Sequence, residues 1–368
     1  MSQLQMNQIL SSLSYWSKRD EGSKTPLGPV MVDIEGYELT EHEKQRLKHP
    51  LVGSVILFTR NFQSREQLTR LCQEIHSLRD TPLLIVVDHE GGRVQRFKTD
   101  GFTHLPAMRE LGRVYEQDEL LALQLAQATG FILASELRAC GVDFSFTPVL
   151  DLDYGRSDVI GNRAFHADPK VVSLLSRALI QGLSDSGMAS CGKHFPGHGY
   201  VNADSHTHVP IDDRSFEEIY EKDVKPYIAL GNLSLPAIMP AHVIYEKVDS
   251  QPAGFSKFWV QKILREQLAY QGVIFSDDLT MEGASVAGDI HDRAKAAFHA
   301  GCDMVLVCNR PDLADELLEK LTPPADVELK TNRLMSLLPV GAALTWDELQ
   351  TNGLYVNAKR LLHQNISQ

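Results

Sequence analysis

A chain of 368 residues, 43% of them hydrophobic, can bury a sizeable core as one large barrel or as two ordinary domains. Its 36 basic and 48 acidic side chains leave a formal net charge of −12, which argues against a surface built to track nucleic-acid phosphates or anionic lipid and points to a small molecule. Cys72, Cys140, Cys191, Cys302 and Cys308 lie far apart and form no C-x-x-C, so reduced, buried thiols are expected in place of a disulfide framework or a structural zinc site.

The opening stretch "MSQLQMNQILSSLSYWSKRDEGSK" has neither a basic start before an apolar run nor a small-residue cleavage site, so residues 1–25 read as an extension without an assignable role. No run of about 18 apolar residues stands out, which speaks for a cytoplasmic chain without a membrane span. Short β-branched runs then alternate with amphipathic stretches. The strand candidates are "PVMVDI" from Pro29, "SVILFT" from Ser54, "PLLIVVD" from Pro82, "DFSFTPVLD" from Asp143, "MASCGKHF" from Met188, "AIMPAHVI" from Ala237, "GVIFSDD" from Gly272 and "DMVLVCN" from Asp303. Their near-continuous apolar character fits a parallel sheet covered on its faces. Between them, Ser64 with Gln67, Ser215 with Glu218 and Asp168 before Pro169 mark helix starts, and Gly141, Gly187, Gly272 and Gly301 mark helix ends.

Polar residues gather at the carboxyl ends of nearly all these strands: Asp33, Asp88, Asp151, Lys193, His194, His242, Asp277 and Asn309. An open doubly wound sheet needs chemistry at one switch point only, whereas a (β/α)₈ barrel builds its site around the whole rim. No G-x-G-x-x-G or P-loop pattern is present. The sequence therefore predicts an α/β fold, a single TIM-type barrel over residues 26–368, with the stretch after Asn309 forming C-terminal helices, one of them capped by Thr345 and Glu348.

"VIFSDDLTM" puts Asp277 at a strand tip, where a carboxylate can act as a nucleophile or electrostatic stabiliser, and Asp278 on the other side; capping of the following turn is the plainer reading. "KHFPGHGYVNADSHTHVP" reads as a long loop, in which Asp204 can accept the imidazole N–H of His206 and leave the other ring nitrogen to exchange a proton. Lys193 and His194 at the strand end can bind hydroxyls or pair with a rim aspartate such as Asp151. "VVDHEGGRVQRF" supplies Asp88, Glu90, Arg93 and Arg96, a sugar-binding group or an ion-pair cluster. A metal-dependent hydrolase using the "SHTHV" histidines with His194, His198 and His242 is the rival class, and a non-catalytic sugar-binding barrel is a third.

"VDHEGGRVQRF", "KHFPGHG" with "DSH", and "FSDDLTMEGA", in that order, resemble the cytoplasmic bacterial β-N-acetylglucosaminidases of glycoside hydrolase family 3, which act in peptidoglycan recycling, over roughly residues 28–310. The resemblance implies Asp277 as nucleophile, His206 as general acid/base with Asp204 as its partner, and Asp88, Arg96, Arg163, Lys193 and His194 lining the sugar site. It implies a retaining exo-enzyme acting on muropeptide fragments with no cofactor or metal; charge and hydropathy speak against a nucleic-acid or membrane partner, and the sequence leaves the oligomeric state open, a monomer being favoured. A phosphate-using variant of the same site is the near alternative. Family members often carry glutamine where His89 stands and aspartate where Asn162 stands, and many have a second, sandwich-like domain.

Overall fold

The computed structural model describes residues 26–202, 209–324 and 326–366. Eight strands form the barrel: β1 Val30–Asp33, β2 Val52–Leu57, β3 Leu84–Val87, β4 Phe144–Ser145, β5 Cys191–Phe195, β6 Ala237–Pro240, β7 Val273–Asp278 and β8 Met304–Val307. All are parallel, in the order β4-β3-β2-β1-β8-β7-β6-β5. The ring closes where the chain beyond β4 bridges Val149 to Lys193 and Leu150 N–H donates to the Lys193 carbonyl at 2.7 Å. Each of the predicted strands is present. β2 begins at Val52, two residues before the sequence reading, and β4 keeps only two strand residues before its chain turns toward the mouth.

The strands are buried on both faces, as their unbroken apolar runs require. Inside the barrel Phe146 meets Phe144 and Phe275 edge-on, with ring centroids 5.7 and 5.1 Å apart. Ser64, Asp168, Ser215 and Thr345 cap their helices as read, the last two in complete capping boxes. Gly272 differs from the expectation. Its backbone is not left-handed, since Ala269 takes that conformation (φ 50°), and glycine is needed because a Cβ would lie 2.3 Å from the Tyr270 hydroxyl.

One helix, Glu119–Ala139, does have the length and hydropathy of a membrane span, contrary to the sequence reading. It is a core helix: 67% of its apolar window is buried, and it crosses helix Pro169–Asp185 so closely that a Cβ on Gly130 would meet the Leu179 carbonyl at 2.1 Å. The C-terminal helices brace the barrel. Tyr355 donates to Glu136 at 2.6 Å, and Arg333 and Arg265 converge on Asp303 at the start of β8, whose carboxylate also takes the Ile274 N–H.

Candidate active site

The mouth is floored by a chain of opposite charges. Lys193, in the middle of β5 and almost fully buried, places its ammonium 2.7 Å from Asp88 and 2.8 Å from Glu90. Glu90 in turn receives two parallel bonds from Arg163, from Nε at 2.8 Å and Nη2 at 2.7 Å, and Arg96 approaches Asp88 at 3.6 Å. Burial alone would discharge Lys193, yet Asp88 and Glu90 hold its pKa above the ordinary lysine value. Burial likewise opposes charge on both carboxyls, but Lys193 with Arg96 lowers Asp88, and Arg163 with Lys193 drives Glu90 well below the usual carboxylate range. The array stays fully ionised at neutral pH.

Beside it, His194 Nδ1 lies 2.7 Å from Asp151, whose other oxygen accepts the His194 and His198 backbone N–H groups. Asp151 is buried; burial raises its pKa, and His194 more than offsets this. The ion-pair and sugar-binding readings of these residues are therefore compatible, because Asp88, Lys193 and His194 stay locked in place while part of Asp88 and Arg96 remains open to the mouth.

Asp277 and Asp278 end β7. Asp277 is half-buried and accepts the Asp278 N–H at 2.8 Å. Because every strand of the barrel runs in the same direction, the carboxyl end of β7 brings this carboxylate to the same end of the barrel as the Lys193 array. Asp278 turns away and takes the Thr280 N–H, the Thr280 hydroxyl and the Cys308 N–H at 3.0, 2.8 and 3.2 Å. Capping is thus its role, and burial, aided by the neighbouring Asp277 charge, pushes its pKa up to about 7. His242, fully buried two residues beyond β6, sits beside the Asp277 and Asp278 main chain without hydrogen-bond geometry to it, and burial lowers its pKa.

Asp204 and His206 lie outside the described residues. Among the described residues no three His, Cys, Asp or Glu side chains gather to hold a metal ion. A cavity of about 220 Å³ between Tyr227, Leu235, Leu264 and Tyr270 lies on the barrel flank, away from this chemistry. Of the residues singled out from the sequence, Asp88, Arg96, Arg163 and Lys193 are brought into one charged array, His194 stands next to Lys193 on β5, and Asp277 ends β7. Sequence reading missed Glu90 as the hub between Lys193 and Arg163, and nothing in local spacing marks it, since its partners lie 103 and 73 positions away.

Residues 4–337 match the glycosyl hydrolase family 3 N-terminal domain. A β-hexosaminidase of Bordetella avium is 65% identical over 353 residues, 95% of this chain and 99% of that one. NagZ from Neisseria gonorrhoeae, solved in complex with N-trifluoroacetyl-D-glucosamine, superposes with a TM-score of 0.88 at 49% identity, covering 93% of this chain and 99% of that one. A family 3 β-N-acetylglucosaminidase from Paenibacillus gives 0.80 at 28% identity over 93% of this chain and 68% of its own. The chain belongs to glycosyl hydrolase family 3, as a glycoside hydrolase of the β-hexosaminidase type.

Proposed function

We propose that the chain is a retaining exo-β-N-acetylglucosaminidase that removes the non-reducing terminal sugar of peptidoglycan fragments in the cytoplasm, as a monomer. Asp277 is the nucleophile, His206 the general acid/base and Asp204 the group that orients it. Asp88, Arg96, Arg163, Lys193 and His194 seat the sugar. The observation that carries this reading is a half-buried carboxylate on a rigid strand end, in the same mouth as a charge-compensated array whose polar edges remain available to hydroxyls. The bound N-trifluoroacetyl-D-glucosamine of the Neisseria relative supports an amide-bearing sugar.

In the first half-reaction an Asp277 oxygen bonds to C1 as the C1–O bond to the leaving group breaks, and His206 delivers its proton to that oxygen. In the second, neutral His206 takes a proton from water, which bonds to C1 and frees Asp277. Two inversions at one carbon retain configuration. Incubation with a slow fluorinated N-acetylglucosaminide, followed by peptide mapping, tests the assignment. The label is expected on the peptide holding Asp277, and a label elsewhere, or turnover unchanged in Asp277→Ala, refutes it.

A further inference from the structure

Residues 197–214 leave the end of β5 and return beside it, and the two limbs of this segment meet at one side chain. Arg214, on the returning limb, is buried and makes an ion pair with Asp212 through Nε and Nη2 at 3.0 and 2.6 Å. Its Nη1 donates to Asp223 at 2.7 Å and to the Tyr154 hydroxyl at 2.9 Å. The guanidinium plane covers the ring of Tyr200, on the outgoing limb, at 4.2 Å, and Tyr154 meets that ring edge-on at 5.5 Å. Asp223 closes the circuit: a Cβ on Gly197 would lie 2.5 Å from its Oδ1, so the first turn of the outgoing limb rests on the same carboxylate that Arg214 holds. A second tie runs parallel, because Tyr245 donates to the Gly197 carbonyl at 2.9 Å while its strand, Ile244–Tyr245, pairs with Ile211–Asp212.

None of these residues is among those assigned above to the sugar, and the cluster's cost is high. Two buried carboxylates and a buried guanidinium are gathered for a connection that three or four apolar side chains could pack. What it supplies is a fixed geometry between limbs that flank Asp204 and His206, six residues after Tyr200 and eight before Arg214 in the case of His206. We propose that Arg214 is a positioning residue for proton transfer: by clamping Tyr200 to Asp212 and Asp223 it fixes the two limbs that flank Asp204 and His206 in sequence, and proton delivery by His206 to the leaving-group oxygen depends on that fixed spacing. The inference rests on the assignment of His206 as the acid.

The leaving-group dependence of kcat/KM, which reads the glycosylation step alone, distinguishes positioning from general stability. A 2,4-dinitrophenyl β-N-acetylglucosaminide departs with little protonation, whereas an alkyl glycoside needs the acid, a contribution of about 10²- to 10⁴-fold. In kcat/KM, Arg214→Lys is expected to lose roughly 30- to 100-fold on the alkyl substrate and less than about 5-fold on the dinitrophenyl one, whose kcat and KM fall together because His206 also serves the second half-reaction. Tyr200→Leu, which removes the stack and leaves every ion pair, is expected to shift the same ratio in the same direction by a smaller factor, and it serves where Arg214→Lys does not fold. Equal losses on both substrates, or none, in a folded variant overturn the inference. His206→Ala measured alongside separates the two ideas: if it shows no leaving-group discrimination, the acid assignment fails and the clamp falls with it, while discrimination in His206→Ala without any in the Arg214 and Tyr200 variants defeats the clamp alone.

Discussion

Glu90→Gln is the sharpest test of the charged floor. The substitution keeps shape and one acceptor oxygen but presents an amide N–H₂ to groups that offer only donors. Three charge-assisted bonds, two from Arg163 and one from Lys193, converge on Glu90 inside the barrel. Breaking a buried ionic contact by removing one partner costs about 3–5 kcal/mol, because the surviving cations remain desolvated. For a chain of this size the unfolding entropy is about 0.7 kcal/mol per kelvin, so the melting temperature should fall by roughly 4–7 °C. The sign of the pH dependence is also set. Glu90 is held far below its unfolded value, so its contribution is present throughout the range above about pH 4.5 and is lost only as pH falls below that toward the depressed native value. Scanning calorimetry of both proteins from pH 8 to 4 should therefore show a constant gap that begins to narrow only at the acidic end. A gap under about 1 kcal/mol, or one that already shrinks between pH 8 and 6, would mean that water screens the array and that Glu90 is not its hub.

Two further outcomes follow from particular contacts. Asp278 titrates near 7 in the folded state against 3.8 for the free side chain, so its ionised form is penalised by burial above pH 7 and the penalty is relieved on acidification. Wild type should gain on Asp278→Asn by up to roughly 4 kcal/mol between pH 8 and pH 4, read from urea midpoints, and a flat difference would refute the burial argument. Gly199→Ala would place a Cβ 1.9 Å from the Leu152 carbonyl, displacing the segment that leads to His206. At least a ten-fold drop in kcat/KM is expected with the barrel still folded by circular dichroism, and full activity would show that the segment tolerates the shift.

The barrel was legible because its signals are local. Eight apolar runs, each a few residues long and ending in a polar side chain, define both the strands and the rim. Helix caps such as Ser215 with Glu218 need only a three-residue spacing to be read. The pairing of Lys193 with both Asp88 and Glu90 was not legible, since it depends on the closing of β5 against β4 and β3 in space. Alternation alone placed Asp278 away from Asp277, and the structure adds the reason it is there: the Cys308 N–H beyond β8 and the Thr280 turn both need an acceptor. Gly272 was misread because glycine at a helix end has two uses, a left-handed turn or a tight approach, and only the neighbouring Tyr270 hydroxyl tells which applies.

Asp303 gathers Arg265, Arg333 and the Ile274 amide at the amino end of the strands, the full height of the sheet away from Asp277. The barrel thus has a keystone and a workshop at opposite poles. Changes that loosen the first alter how long the molecule survives and leave the mouth's chemistry in place, while at the second Lys193 belongs both to the charged floor and to the seam that shuts the ring, so new sugars are better accommodated from its neighbours.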